Sequence, residues 1–282
     1  MLQYKSYKAK KHRRPGRIRS MISQKDLEDT NTYQELKILF EDAHLLVCYK
    51  PAGAPVQSAH VGSKDCESIL KNYLYEKEPK RGMPYLGIIH RLDQPVEGLL
   101  VFAKTGAAAK SLSRQIQDGR MRKTYLAVRR TVDKATGKQA ENTKNCGKPG
   151  ENVEKSVENW TEITDYLRKN GRENRSEIVP EGTAGAKKAV LRYRTLKAVD
   201  GQELVEIQLV TGRHHQIRVQ LAGLGTPLAG DQKYGEPLKT VDSVDKSYPA
   251  LCAYRLEFVH PKTGKPLSFQ INPKNSSFAP FG

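Results

Sequence analysis

The alternation of apolar and polar residues becomes regular at Leu36. Ile38-Leu39-Phe40 and Leu45-Leu46-Val47-Cys48-Tyr49 predict two short strands around the turn-like Glu41-Asp42, and Lys50-Pro51-Ala52-Gly53 breaks the second. From Ser68 to Glu76 the apolar positions Ile69, Leu70, Tyr73 and Leu74 follow helical spacing. His90 to Pro95 is polar and interrupted by a proline, hence a loop, and Gly98 to Ala103 is an apolar run that predicts a buried strand. Thr105 is placed to cap a helix from about Ala107 to Gln117, with Ala108, Leu112 and Ile116 recurring every four residues and Gly119 suited to its end. Thr124–Val128, Val190–Leu196 and Leu204–Val210 predict strands, the last with Val205, Ile207 and Leu209 on one side. Arg213 to Ala222 reads as a helix ended by Gly223-Leu224-Gly225. Cys252, Tyr254, Leu256 and Phe258 alternate along a further strand, and Pro261-Lys262-Thr263-Gly264 turns it back into Leu267, Phe269 and Ile271. Many strands joined by hairpins, few helices and no internal repeat predict an α+β fold on a central mixed or mostly antiparallel sheet flanked by helices.

Two stretches fall outside this pattern. Residues 1–30 are rich in Lys, Arg and Ser without apolar periodicity, a flexible basic arm. Asp133 to Gly150 is rich in Lys, Asn and Gly, and the 133–187 region reads as an insertion or variable segment that either shapes substrate choice or is passive.

Charge narrows the class of partner. The 282 residues include 48 Lys and Arg against 31 Asp and Glu, a net charge of +17. An excess of that size strengthens binding to polyanions through counterion release, and nucleic acid is the commonest of them. The segment Met1 to Lys25 holds nine basic residues and no acid, so about half of the excess sits in the arm. A solubilising tail is the bland reading of such a run. No apolar stretch approaches the roughly 20 residues that span a bilayer, and the basic start is not followed by an apolar signal core. A cytoplasmic protein without membrane association is expected. The four cysteines (Cys48, Cys66, Cys146, Cys252) are scattered with no C-x-x-C pair, which predicts reduced structural thiols and neither disulfides nor a zinc site.

Several kinds of chemistry are excluded by what is missing. There is no G-x-S-x-G elbow, no H-E-x-x-H and no phosphate-binding G-x-x-x-x-G-K-[ST], and Gly223-Leu224-Gly225 lacks the continuation of a dinucleotide fingerprint. His214-His215 is a weak metal pair, because adjacent helical residues point about 100° apart. What remains is an acid in a basic, proline-broken loop. Asp93 follows Arg91 and precedes a buried strand, which places it at a sheet edge facing a cleft; taken alone, such an Asp more often caps a turn.

The motifs around it decide in favour of function. His90-Arg91-Leu92-Asp93 followed by Gly98-Leu99-Leu100-Val101-Phe102-Ala103-Lys104-Thr105 resembles the H-R-L-D-x-x-T-S-G-L-L-x-x-A-K-T signature of the RluA-type RNA pseudouridine synthases. Lys50-Pro51-Ala52-Gly53, the pair Lys123 and Tyr125, and Thr211-Gly212-Arg213-His214-His215-Gln216-Ile217-Arg218 also resemble segments of that family. So do Gly225 to Asp231 with Tyr234-Gly235, and His260-Pro261 with Thr263-Gly264. The resemblance runs in order from about residue 36 to 273. It implies a pseudouridine synthase catalytic domain over 31–282, acting on uridines in structured rRNA or tRNA, monomeric and without cofactor or metal, because uridine supplies every atom of the product. It also makes the 1–30 arm an RNA-contacting element.

The same resemblance assigns roles. Asp93 is the catalytic carboxylate, acting on the sugar by attack or by proton abstraction, and Arg218 is its salt-bridge partner. An Arg so placed lowers a carboxylate pKa by roughly one to three units, which would keep Asp93 ionised. Tyr125 stacks on the target uracil and helps remove the C5 proton. Arg91 either fills the space left by a flipped base or binds phosphate. His90, Lys123, Arg213 and His215 fall in the matched motifs as substrate-binding residues, and Asp231 has a structural place in its turn. Two departures stand out. Val96-Glu97 replaces the usual Thr-Ser, removing hydroxyl contacts, and the arm is too short for the S4 RNA-binding module of many relatives. The rival reading is an RNA-binding protein without activity, which would not require a carboxylate in a basic cleft; a metal-dependent RNA hydrolase would need ligating carboxylates or a suitably placed His pair.

Overall fold

A computed structural model describes residues 36–58, 64–131, 160–235 and 248–282. In chain order its elements are β1 (Lys37–Glu41), β2 (Leu45–Lys50), α1 (Cys66–Lys77), β3 (Gly87–Ile88), β4 (Glu97–Ala103), α2 (Gly106–Gln117), β5 (Arg122–Arg130), β6 (Thr161–Asn170), β7 (Arg175–Val179), β8 (Lys187–Val199), β9 (Gln202–Leu209), α3 (Gln216–Gly223), β10 (Leu251–Val259) and β11 (Pro266–Gln270). The strands form one sheet in the order β1-β2-β4-β10-β5-β9-β8-β6-β7, with β3 on β4 and β11 on β10. Every pairing is antiparallel except β4 with β10, so the sheet is mixed and mostly antiparallel, as the hairpin pattern predicts.

Side chains alternate between faces along a strand, and both faces of the central strands are covered. On one face Leu46, Cys48, Leu100, Phe102, Tyr125 and Ile207 pack with Leu70 and Leu74 of α1 and Ile217 and Leu221 of α3. On the other, Leu45, Val47, Leu99, Val101, Leu256 and Phe258 pack with Ala108 and Leu112 of α2 and Phe269 of β11. This double burial explains why β2 and β4 read as unbroken apolar runs. Thr105 caps α2 by accepting from the Ala108 amide at 3.2 Å. Gly98 has φ +140, and a Cβ there would run into the backbone of Ala253 at the parallel β4–β10 crossing, so the signature glycine lets two strands approach.

One local expectation is corrected. α3 begins at Gln216 rather than Arg213, because His215 is left-handed (φ 54) and the Gln216 side chain turns back to accept from the Arg213 amide at 2.9 Å. Within the 133–187 region, β6 and β7 extend the sheet beyond β8. Their mixed, largely exposed surfaces carry no clean apolar alternation that would have announced them. The arm and residues 132–159 lie outside the described residues, and so does Cys146; Cys48, Cys66 and Cys252 are buried free thiols. Among the described residues no helix is long and apolar enough to cross a membrane.

Candidate active site

The loop between β3 and β4 carries Asp93, and it is anchored from behind. Leu92 and Val96 turn inward to the apolar face, and the Val96 amide closes a turn on the Asp93 carbonyl at 3.0 Å. Lys50, fully buried at the end of β2, donates to the carbonyls of Pro51 (2.9 Å), Ala54 (2.8 Å) and Gln94 (3.0 Å). Burial pulls its pKa down to about 8. The Gly53 amide also donates to the Gln94 carbonyl at 2.8 Å. Gly53 has φ +86 and sits under the Tyr248 hydroxyl with no room for a Cβ. The Lys50-Pro51-Ala52-Gly53 motif thus forms the bracket that holds the loop behind Asp93.

In front of the loop opens a cleft of about 920 Å³, and its walls include all eight residues singled out from the sequence: His90, Arg91, Asp93, Lys123, Tyr125, Arg213, His215 and Arg218. Lys169 and Asn174 from the β6–β7 hairpin and Arg192 from β8 join them, which no sequence motif signalled. The Asp93 side chain is 26% exposed, with Oδ2 3.6 Å from Arg218 Nη1 and 3.7 Å from His215 Nε2. Tyr125, on β5, is almost wholly buried; that burial, with the Asp93 charge beside it, raises its pKa.

Arg218 keeps its closest partner elsewhere. Its Nε and Nη2 donate to the two oxygens of Asp231 at 2.7 Å each, a buried two-pronged pair. Asp231 in turn accepts from the Lys233 and Tyr234 amides at 3.0 and 3.3 Å, the structural turn role expected of it. The ion pair expected between Arg218 and Asp93 is present at 3.6 Å and lowers the Asp93 pKa, but burial outweighs it. Burial raises its pKa, and Arg218 and Lys50 pull it down without cancelling that rise. The guanidinium is largely engaged by Asp231 and stands beyond hydrogen-bond distance from Asp93.

The other residues divide by environment. Arg91 is exposed at the cleft mouth. His90 instead faces β4, its Nε2 3.4 Å from the Val101 amide, and burial drives its pKa down to about 3. Lys123 has its pKa lowered by burial. Arg213 Nε donates to the Lys188 carbonyl at 2.9 Å, tying the turn before α3 to β8. The rings of His214 and His215 stack with centroids 3.7 Å apart, so the expectation that they diverge on a helix is overturned by the left-handed His215. Among the described residues no group of three His, Cys, Asp or Glu is placed to hold a metal ion. The Val96-Glu97 departure also has a structural answer. Val96 lines the cleft with apolar atoms, while the Glu97 carboxylate turns to the other side and accepts from Tyr49 Oη (2.7 Å) and the Lys274 and Asn275 amides.

A mixed sheet with an acid loop bracketed over a basic cleft defines a class, and the comparisons name it. Residues 44–223 match the RNA pseudouridylate synthase family, and the chain belongs to that family. It is similar to the ribosomal large subunit pseudouridine synthase D of Nitrosomonas europaea, 35% identical over 251 residues that cover 83% of this chain and 61% of the relative. The protein of the same name in Zymomonas mobilis is 34% identical over 242 residues, covering 83% of this chain and 68% of the relative. The chain therefore spans only about 61% of the length of the first of these relatives. The solved structure of human RNA pseudouridylate synthase domain containing 4 shares the fold, with a TM-score of 0.62 at 21% identity over 84% of this chain and 88% of that one.

Proposed function

We propose that the protein is an RNA pseudouridine synthase that isomerises uridines in structured RNA, with Asp93 as the reacting carboxylate. The observation that carries the reading is the convergence of Asp93, Tyr125 and Arg218 from three separate elements on one basic cleft. The N1–C1′ bond breaks, the base turns, and a C5–C1′ bond forms while C5 loses its proton and N1 gains one. Asp93 serves either route, attack at C1′ or abstraction at C2′, only when ionised. Tyr125, which lines the cleft near Asp93, is assigned to contact the uracil and help remove the C5 proton. Arg91 at the mouth and Lys123, Lys169, Arg192 and Arg213 around it supply the positive surface that an extruded nucleotide and its phosphates require. The names of the relatives favour large-subunit ribosomal RNA over transfer RNA as substrate, and a monomeric, cytoplasmic enzyme is part of the same proposal.

Release of tritium from RNA labelled at uridine C5, compared between the protein and Asp93→Asn, tests this directly, with total RNA from a strain lacking the gene as substrate. Release that vanishes in the variant is the expected result. Absence of release from both proteins, with RNA binding of equal salt dependence, would instead establish a binding protein on the same fold.

A further inference from the structure

His215 stands just outside the helix it precedes, and its left-handed backbone turns the ring between two partners. Its Nδ1 lies 2.8 Å from the Tyr234 hydroxyl, and its Nε2 lies 3.7 Å from Asp93 Oδ2. Among the described residues the Tyr234 hydroxyl has one other hydrogen-bond partner, the Ser176 backbone amide at 2.7 Å. An amide N–H only donates, so it occupies a lone pair of the phenol oxygen and leaves the phenol proton for the imidazole. Nδ1 is then the acceptor nitrogen, and the proton of the neutral ring sits on Nε2, facing Asp93. Burial, with Arg218 next to it, drives the His215 pKa down to about 3, which keeps the ring neutral.

The arrangement is braced on every side. His214 stacks on the ring of His215 and meets Ser176 Oγ at 2.9 Å through its own Nδ1. Arg218 and Arg175 lie over the Tyr234 ring at 5.2 and 5.3 Å. Ser176 belongs to β7, so the hydrogen-bond chain runs from the β6–β7 hairpin through Tyr234 to His215, whose Nε2 then faces Asp93.

We propose that His215 is a positioning residue for Asp93: an uncharged Nε2–H donor whose tautomer is set by Tyr234 and, through the Ser176 amide, by β7. The inference rests on the reading of Asp93 as the reacting group. It replaces a substrate-binding role for His215 with one directed at the carboxylate. Arg218 Nη1 stands 3.6 Å from the same Asp93 oxygen but is shared with Asp231, and His215 adds a neutral donor that aims this oxygen without the loss of basicity a second cation would impose. At 3.7 Å the contact is longer than a hydrogen bond, and the proposed role requires it to shorten in the substrate complex, as contacts at such sites commonly do.

The test joins a spectrum to kinetics. In protein labelled with 15N at histidine, His215 is expected to show a protonated Nε2 and an unprotonated Nδ1, and Tyr234→Phe to convert that signature to a mixture of tautomers. His215→Ala is expected to lower kcat for tritium release by about 10- to 100-fold, the range that one hydrogen bond to a charged group supplies, with KM changed less than about twofold. His215→Gln, whose amide nitrogen reaches toward the place of Nε2, is expected to recover a large part of that loss. A protonated Nδ1 in the unaltered protein would overturn the tautomer, and so the proposal. An effect of His215→Ala on KM alone, or equal losses in the Ala and Gln variants, would overturn the positioning role. Full activity in Asp93→Asn would remove the group being positioned and with it the role, while leaving the spectrum to report the tautomer independently.

Discussion

Replacing Asp231 by asparagine probes the buried pair that shares Arg218 with Asp93. Arg218 Nε and Nη2 each meet one Asp231 oxygen at 2.7 Å, with the Asp231 side chain fully buried and that of Arg218 only 5% exposed. Asparagine retains one oxygen for the Lys233 and Tyr234 amides but sets an NH2 group against a guanidinium N–H. Removing one partner of a buried ion pair costs ~3–5 kcal/mol. Asp93 stands 3.6 Å from Nη1 and takes up part of the orphaned charge, which places the expectation at the low end, ~3 kcal/mol. A domain of this kind holds roughly 5–15 kcal/mol, so the variant folds with a lower urea midpoint.

The same substitution moves the pH dependence in a defined direction. Burial raises the Asp93 pKa in the unaltered protein, the charges of Arg218 and Lys50 oppose that rise, and the Asp231 charge adds to it. A carboxylate so placed is ionised above its raised pKa and loses its charge as the pH falls through it. The acid limb of kcat/KM for tritium release is therefore expected above the ordinary aspartate value of about 3.9. Asp231→Asn removes one charge that raises the pKa and frees Arg218 to lean toward Asp93, and both effects lower it. The acid limb should move to lower pH in the variant. An unmoved or raised limb, together with a stability loss under ~1 kcal/mol, would refute the view that Asp231 draws Arg218 away from Asp93.

Asp93→Asn should raise the thermal midpoint near neutral pH even as tritium release disappears. Its folded pKa lies above the unfolded one, so ionisation opposes folding above that pH and the amide relieves the opposition; a lowered midpoint would count against the burial argument. Lys50→Met strips the donor from three carbonyls behind the Asp93 loop, with an expected loss of ~2 kcal/mol in urea unfolding and a drop in kcat at unchanged RNA affinity, measured by filter binding. EDTA should leave tritium release unchanged, whereas a metal-dependent hydrolase would stop; inhibition reversed by added Mg2+ would argue for that different chemistry.

Much of this protein was legible along the chain because the signals are local. Apolar runs at 45–49 and 99–103 foretell strands buried on both faces, and the Thr105 cap foretells α2 within one residue. The His90 to Asp93 and Thr211 to Arg218 motifs foretell which residues meet in the cleft, since their identities are set by the site they form. β6 and β7 escaped notice because their faces are mostly solvated, so no hydrophobic period marks them. The start of α3 was misplaced for a similar reason: a left-handed residue leaves no mark in the apolar pattern when it is a histidine rather than a glycine.

By itself the amino-acid order determined the fold class and the central strands through periodicity, and eight of the cleft residues through motifs that resemble a known family, while Lys169, Asn174 and Arg192 carried no such signal. Only the tertiary structure decided how the charged groups pair. Arg218 could serve Asp93 or Asp231, and the turn that buries Asp231 gives it the stronger, two-pronged contact. Glu97 could enter the cleft or leave it, and its alternate place on β4 turns it toward residues 274 and 275. Hydrogen-bond and Coulomb energies change steeply over an ångström, and distances between elements remote in sequence are set by the packing of the sheet.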